Sequence, residues 1–158
     1  MSRLCVSELM HCCASATVEA ESTLRDAAEC VLTTGLESLP VVDASGCFVG
    51  LIAQAALIRE LLSCGARHTT VAPIVSHHVD SARVTATLDS ILPLFRAAGV
   101  TMIPIVDEVN HPVGLIHRRD VIRHLLEDPA ENPHRRPSTG ESAVGPHFLK
   151  ERRKTTDL

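Results

Sequence analysis

Aromatic side chains are nearly missing from this sequence: no Trp, no Tyr and only three Phe in 158 residues. A core must then be built from Leu, Val, Ile and Ala, and stacking platforms for nucleic-acid bases are lacking. Basic excess is lacking too. The formal net charge is −4, whereas a general nucleic-acid binder carries a basic face. No apolar run approaches the roughly 20 residues that cross a bilayer. The N-terminus, MSRLCVSELMHCC, has no long apolar core of the signal-peptide kind, so the expectation is a protein that is not secreted. The six cysteines, Cys5, Cys12, Cys13, Cys30, Cys47 and Cys64, form no Cys-x-x-Cys pair. Their spacing suits neither zinc nor a redox couple, and they are expected as reduced thiols of a cytoplasmic protein, several of them core residues. There is no Gly-x-Ser-x-Gly elbow, phosphate-binding loop or His-Glu-x-x-His motif. Nothing places a base near Cys12 or Cys13. Catalysis is therefore not expected.

What is present is aliphatic. Hydrophobic residues make up 45% of the chain, ample for one ordinary domain or two small ones sharing a core. Val6–Met10 reads as a short helical turn and Thr17–Ala20 as a brief extended segment. Leu24, Ala27, Ala28, Val31 and Leu32 then recur at helical spacing along one apolar face. Ser22 or Thr23 can cap that helix, and Gly35 can end it in the left-handed conformation. Leu39–Val42 and Cys47–Ile52 read as strands joined by a turn at Ala44-Ser45-Gly46, and a helix from about Ala53 to Cys64 follows.

After a polar joint, Gly65–Thr70, the scheme begins again. Val71–Val75 echoes the first turn, with Pro73 acceptable only near a helix start. A helix carrying Leu88, Ile91, Leu92 and Phe95 should end at Gly99, and Pro93 should kink it or delay its start. Strands at Met102–Val106 and Val113–His117 and a helix from Arg118 to Glu127 complete the series. From Asp128 onward Pro, Gly and charge replace aliphatics, so residues 128–158 are expected to form a flexible polar tail, its Lys150–Lys154 cluster solvated.

A shift of 64 residues aligns the halves without a gap from Thr23 to Leu62. Gly35 meets Gly99, Pro40 meets Pro104, Val42-Asp43 meets Val106-Asp107, and Gly50-Leu51-Ile52 meets Gly114-Leu115-Ile116. This is an internal duplication, with repeats at 1–64 and 65–127. Repeat 2 is taken to carry an extra residue between Val75 and Leu88.

A unit of short helix, strand, helix, strand, strand and helix, twice present with LPVVD or IPIVD and then VGLI, resembles the cystathionine-β-synthase (CBS) domain pair over about residues 6 to 127. The resemblance implies an α+β fold of tandem β-α-β-β-α repeats, with two small sheets packed about a pseudo-twofold axis and two clefts between them. It implies a regulatory module that binds adenosine-containing ligands (AMP, ADP, ATP or S-adenosylmethionine), requires no cofactor, and commonly forms homodimers. The expected partners are an adenine nucleotide, a second copy and an unnamed protein, with neither nucleic acid nor membrane.

The family's ligand motif is Gly-h-h-(Thr/Ser)-x-x-Asp, with h apolar. Its Asp accepts both ribose hydroxyls and its hydroxyl residue contacts phosphate. Repeat 2 has Gly114-Leu115-Ile116-His117-Arg118-Arg119-Asp120, so Asp120 matches and His117 departs. Repeat 1 has Ala53 and Ala56 at those two places. The resemblance puts adenine against the segment Val79 to Val84, including Val79 and Ala82, and beside Met102, Ile103 and Pro104. An unpaired buried hydroxyl costs about 1–3 kcal/mol, so one site near Asp120 is expected rather than two.

The same residues admit plainer roles. Asp120 can simply offset a helix dipole. His117, protonated, could join Arg118 and Arg119 around a phosphate, or all three can be a solvated strand end. His77-His78, like Cys12-Cys13 at the equivalent place, are adjacent residues that point apart, which favours loop residues over metal ligands. A ligand-free homodimeric interaction scaffold is the competing function.

Overall fold

The computed structural model describes residues 4–12, 16–64 and 69–127. The expected tail and Cys13 lie outside the described residues. The chain opens with helix α1 (Val6–Leu9) and strand β1 (His11–Cys12). Repeat 1 follows as β2 (Val18–Glu19), α2 (Leu24–Thr34), β3 (Ser38–Val42), β4 (Phe48–Ala53) and α3 (Gln54–Cys64). A 3-10 turn, Ala72–Ile74, leads into repeat 2: β5 (Ala82–Arg83), α4 (Leu88–Ile91), β6 (Met102–Val106), β7 (Pro112–His117) and α5 (Arg118–Glu127). In each repeat the hairpin is antiparallel, and the short leading strand pairs in parallel after crossing over through a helix. The result is two small sheets, β2-β3-β4 and β1-β7-β6-β5, in a mixed α+β fold.

Local chemistry accounts for most element ends. Thr23 caps α2: its Oγ1 accepts from the Asp26 amide at 3.2 Å, and the Asp26 carboxylate accepts from the Thr23 amide at 3.0 Å. Gly35 ends the helix at φ +67°. Leu32, expected on the buried face, is 85% exposed; it falls about 80° round the helix from Leu24, at the margin of the apolar stripe. The counterpart helix in repeat 2 is cut short. Pro93 supplies no amide, so α4 stops at Ile91 and Leu92–Arg96 continues as a 3-10 helix instead of running to Gly99. Among the described cysteines, Cys5, Cys30 and Cys47 are only half-buried and Cys12 is exposed. Cys30 packs against a core, and burial raises its thiol pKa.

The sequence repeats are not the packing units. Val6 of α1 lies in the core of repeat 2 with Leu88, Ile103, Ile105 and Ile116. Val71 and Val75 lie in the core of repeat 1 with Leu24, Leu39 and Ile52. Each leading segment is thus seated on the other repeat's sheet. β1 pairs antiparallel with β7, His11 opposite Leu115 and Cys12 opposite Gly114, and Ser76 forms the counterpart bridge to Leu51. Bridges Cys5–Thr87 and Thr23–Thr70 repeat the relation farther out. They make equivalent positions 65 apart before the leading strand and 64 apart after it. Repeat 2 is therefore one residue shorter there, not one longer.

The crossings explain the shared glycines. A Cβ on Gly50 would strike the Ser76 carbonyl and come within 2.7 Å of Val75 Cγ1. One on Gly114 would come within 2.6 Å of Met10 Sδ and 3.0 Å of the His11 carbonyl. Between the sheets, Ala16, Met102 and Leu115 form a small buried cluster joined by Leu36 and Leu51.

At the other end of the strands the two hairpin turns clasp each other. The Phe48 amide donates to the Asn110 carbonyl at 2.8 Å, Asn110 Nδ2 donates to the Phe48 carbonyl at 3.1 Å, and His111 Nε2 donates to the Ser45 carbonyl at 3.1 Å. Asn110 takes φ +67° where its counterpart Gly46 takes +81°, a conformation Asn tolerates better than most residues.

Gly50→Ala is expected to destabilise the protein by about 1–3 kcal/mol in urea unfolding, and Gly114→Ala by less, because the obstruction at Gly50 is backbone and at Gly114 partly a flexible thioether. Equal, near-zero effects would mean that the crossings are not tightly packed.

Candidate functional site

Asp120 is the one buried charged or polar residue among those described, at 5% exposure. Its position follows from the strand-to-helix junction. β7 runs out at His117, the Arg118 amide donates to the Thr101 carbonyl at 2.8 Å, and α5 begins, placing Asp120 in its first turn. Both carboxylate oxygens have partners. Oδ2 lies 2.9 Å from His11 Nε2, which must be the donor to an ionised acid, and Oδ1 accepts from Arg123 Nη1 at 3.1 Å. The His11 and Arg123 side chains are 59% and 63% exposed. His11 reaches Asp120 because β1 is seated against β7. Sequence reasoning missed this contact: it joins residues 109 apart, and nothing in the pattern around His11 announces a strand of two residues.

His117 sits nearby, its ring centroid 5.9 Å from that of His11. Burial, and then the Arg119 guanidinium, push its pKa below the ordinary imidazole value, against the opposing pull of Asp120 and Glu37. At neutral pH it is therefore an uncharged donor and acceptor, not the protonated anion ligand considered from sequence. Arg118 is also committed elsewhere: its Nη2 donates to the carbonyls of Phe95 at 2.9 Å and Ala97 at 3.3 Å. Arg119 is exposed and has no such tie.

A cavity of about 320 Å³ lies between the repeats, lined from repeat 1 by Thr34 and Glu37 and from repeat 2 by Thr101, His117, Arg118 and Arg119. A second, of about 170 Å³, shares Thr101 and is lined by Leu51, His78, Val79, Asp80 and Met102. Two of the expected adenine neighbours, Val79 and Met102, thus share one cavity, while His117, Arg118 and Arg119 share the other. Ala82 and Ile103 line neither; both pack into the core behind the sheet. That follows from the strand period of two, which turns Met102 toward the inter-sheet cluster and Ile103 away from it. Pro104 is buried in β6 opposite Leu115 and lines neither cavity. Of the other histidines singled out, His77 Nδ1 lies 3.0 Å from the Val49 carbonyl, and His78 lines the smaller cavity. Among the described residues no three His, Cys, Asp or Glu side chains are grouped to hold a metal, and no helix is long and apolar enough to cross a membrane.

The CBS domain family model matches residues 6–63 and again 71–127. Among curated proteins, inosine-5'-monophosphate dehydrogenase of Methanocaldococcus jannaschii is 27% identical over 131 residues, covering 83% of this chain. The match spans only 26% of that enzyme's length. Among solved structures, a CBS domain-containing protein of unknown function from Bacillus anthracis superposes with a TM-score of 0.71 at 19% identity, covering 80% of this chain and 95% of the other. The CBS domain pair of protein MJ0100, solved with 5'-methylthioadenosine and S-adenosyl-L-methionine, gives 0.67 at 20% identity, covering 80% and 98%. CBSX2, solved with AMP, gives 0.65 at 20% identity, covering 78% and 97%. At these identities the likeness is one of fold.

The lowered pKa of His117 has a sign that can be measured. As pH falls through about 6.5 the unfolded chain takes up this proton before the folded one does, so stability is lost on the acid side. The thermal midpoint of the wild type should fall more between pH 7 and pH 5 than that of His117→Asn; an equal fall would contradict the buried, uncharged imidazole.

Proposed function

This chain belongs to the CBS domain family, and from that premise we propose that it is a non-catalytic, cytoplasmic regulatory module that senses an adenosine-containing ligand between its repeats. The observation that carries the proposal is Asp120, a buried carboxylate at the junction whose preceding residues, His117, Arg118 and Arg119, line the inter-repeat cavity. Burying a carboxylate is costly unless it is well bonded, and a ribose offers two hydroxyl donors in the spacing its oxygens can accept. Val79 and Met102 offer apolar walls to a base in the adjoining cavity. Arg119 offers forked donors to a phosphate. The complexes of two fold relatives with AMP and with S-adenosylmethionine support the same ligand class. Glu37 faces the same cavity as Arg119, and with Arg118 committed to carbonyls the charge there favours one phosphate over three. Occupancy would signal by changing how the repeats, or two copies of the chain, pack; it can shift that equilibrium only as far as its differential affinity for the two states.

Calorimetry with AMP, ADP, ATP and S-adenosylmethionine tests this directly. AMP is expected to bind more tightly than ATP, and Asp120→Ala to weaken AMP by about tenfold or more, the loss from unpairing ribose hydroxyls. Absence of heat with all four ligands on the wild type would end the proposal.

A homodimeric interaction scaffold is favoured by a separate observation. Ile58 and Leu62 on α3 are 55% and 81% exposed, and their counterparts Ile122 and Leu126 on α5 are 52% and 63% exposed. Each pair lies four residues apart, so both helices present an apolar strip outward. Light scattering should find a dimer that Ile58→Asp with Ile122→Asp converts to monomer; a wild type that stays monomeric at high concentration would rule out this use of the strips.

A further inference from the structure

The contact between His11 and Asp120 does more than fill a hydrogen bond. His11 belongs to the leading segment of repeat 1, yet it holds the carboxylate of repeat 2 at 2.9 Å. Its own side chain is largely solvent-exposed, so letting go sacrifices little packing. Asp120 by contrast is nearly closed off and lines neither cavity, while His117, close to the His11 ring, does. The edge of the carboxylate that a cis-diol would need is thus already engaged by the protein, and Arg123 engages the other oxygen from within α5.

Resting on the adenosine-binding function proposed above, we infer that His11 is a built-in competitor for the ribose edge of the site, and that ligand occupancy is reported at β1 by its displacement. One hydroxyl of a cis-diol on Oδ2 replaces the His11 donor one for one, while the other can share Oδ1 with Arg123, so Asp120 is never left unpaired. The imidazole turned out of this place carries strain or freedom into β1, which rests on β7 through only two residue pairs. β1 continues from α1, whose Val6 is buried in the repeat 2 core. The ribose edge is therefore coupled to the segment that ties the repeats together. The device is confined to this half of the molecule: the residue equivalent to His11 in the other crossing is Ser76, and the one equivalent to Asp120 is Ala56.

The test titrates AMP into the full chain as wild type, His11→Ala and His11→Gln, with circular dichroism confirming that each folds. A largely exposed hydrogen-bond partner is worth little, so His11→Ala should bind AMP only about two- to fivefold more tightly, with His11→Gln, which keeps a donor, between the two. In NMR spectra of the wild type, saturating AMP should move the His11 ring resonances toward their positions in ligand-free Asp120→Ala, which offers the imidazole no acceptor. AMP binding to the wild type with no gain, or a loss, in His11→Ala would overturn the inference while leaving the adenosine site standing. So would AMP binding that leaves the His11 resonances in place. Failure of the wild type to bind any adenosine ligand would instead overturn the adenosine proposal, and this inference with it.

Discussion

Everything in this fold depends on two places where backbone passes over backbone. At Gly50 the segment around Val75-Ser76 lies across β4, and at Gly114 the segment Met10-His11 lies across β7. Backbone bars a Cβ outright at Gly50, and at Gly114 a Cβ would have to displace the Met10 thioether. Because each crossing strand comes from the other repeat, neither repeat closes its core alone. Repeat 1 needs Val71 and Val75, and repeat 2 needs Val6. Two sequence units thereby share their cores, with a third contact surface supplied by Met102, Leu115, Leu36 and Leu51.

The chemistry of the site follows from that exchange. A buried carboxylate has to be paired, and the exchange is what delivers His11 to it. The two groups occur together. Where Ala56 stands in the carboxylate's place, Ser76 stands in the histidine's, and of the three only the arginine has a counterpart, Arg59. The asymmetry is thus a correlated one, acid with its partner, rather than scattered substitutions. His117 belongs to the same local order, kept uncharged by burial and by the guanidinium beside it.

The duplication and the hairpins were legible because glycine, proline and aliphatic positions recur with their periods intact, and α5 lies where the pattern puts it. Asp120 was legible as a motif residue. Three things were not. The swap of leading segments leaves no periodic trace, since α1 and β1 together span fewer than eight residues. The break in α4 was foreseeable from Pro93, but its form as a 3-10 helix depends on tertiary packing. The separate fates of His117, Arg118 and Arg119 are set by contacts with Phe95, Ala97 and the cavity, and adjacency in sequence carries no information about these.

One detail far from the site sets how the two hairpins are held together. The turns at Asp43–Cys47 and Asp107–His111 are stitched together by Phe48, Asn110, His111 and Ser45, while the cavities open where the same strands have their other ends, at Ser38, Met102 and His117. Strands of five or six residues separate the two regions, a distance of roughly 17–20 Å. The stitching thus fixes the spacing of the two hairpins at the end away from the cavities, and the spacing at the cavity end falls to the apolar contacts of Met102 and Leu115 with Leu36 and Leu51.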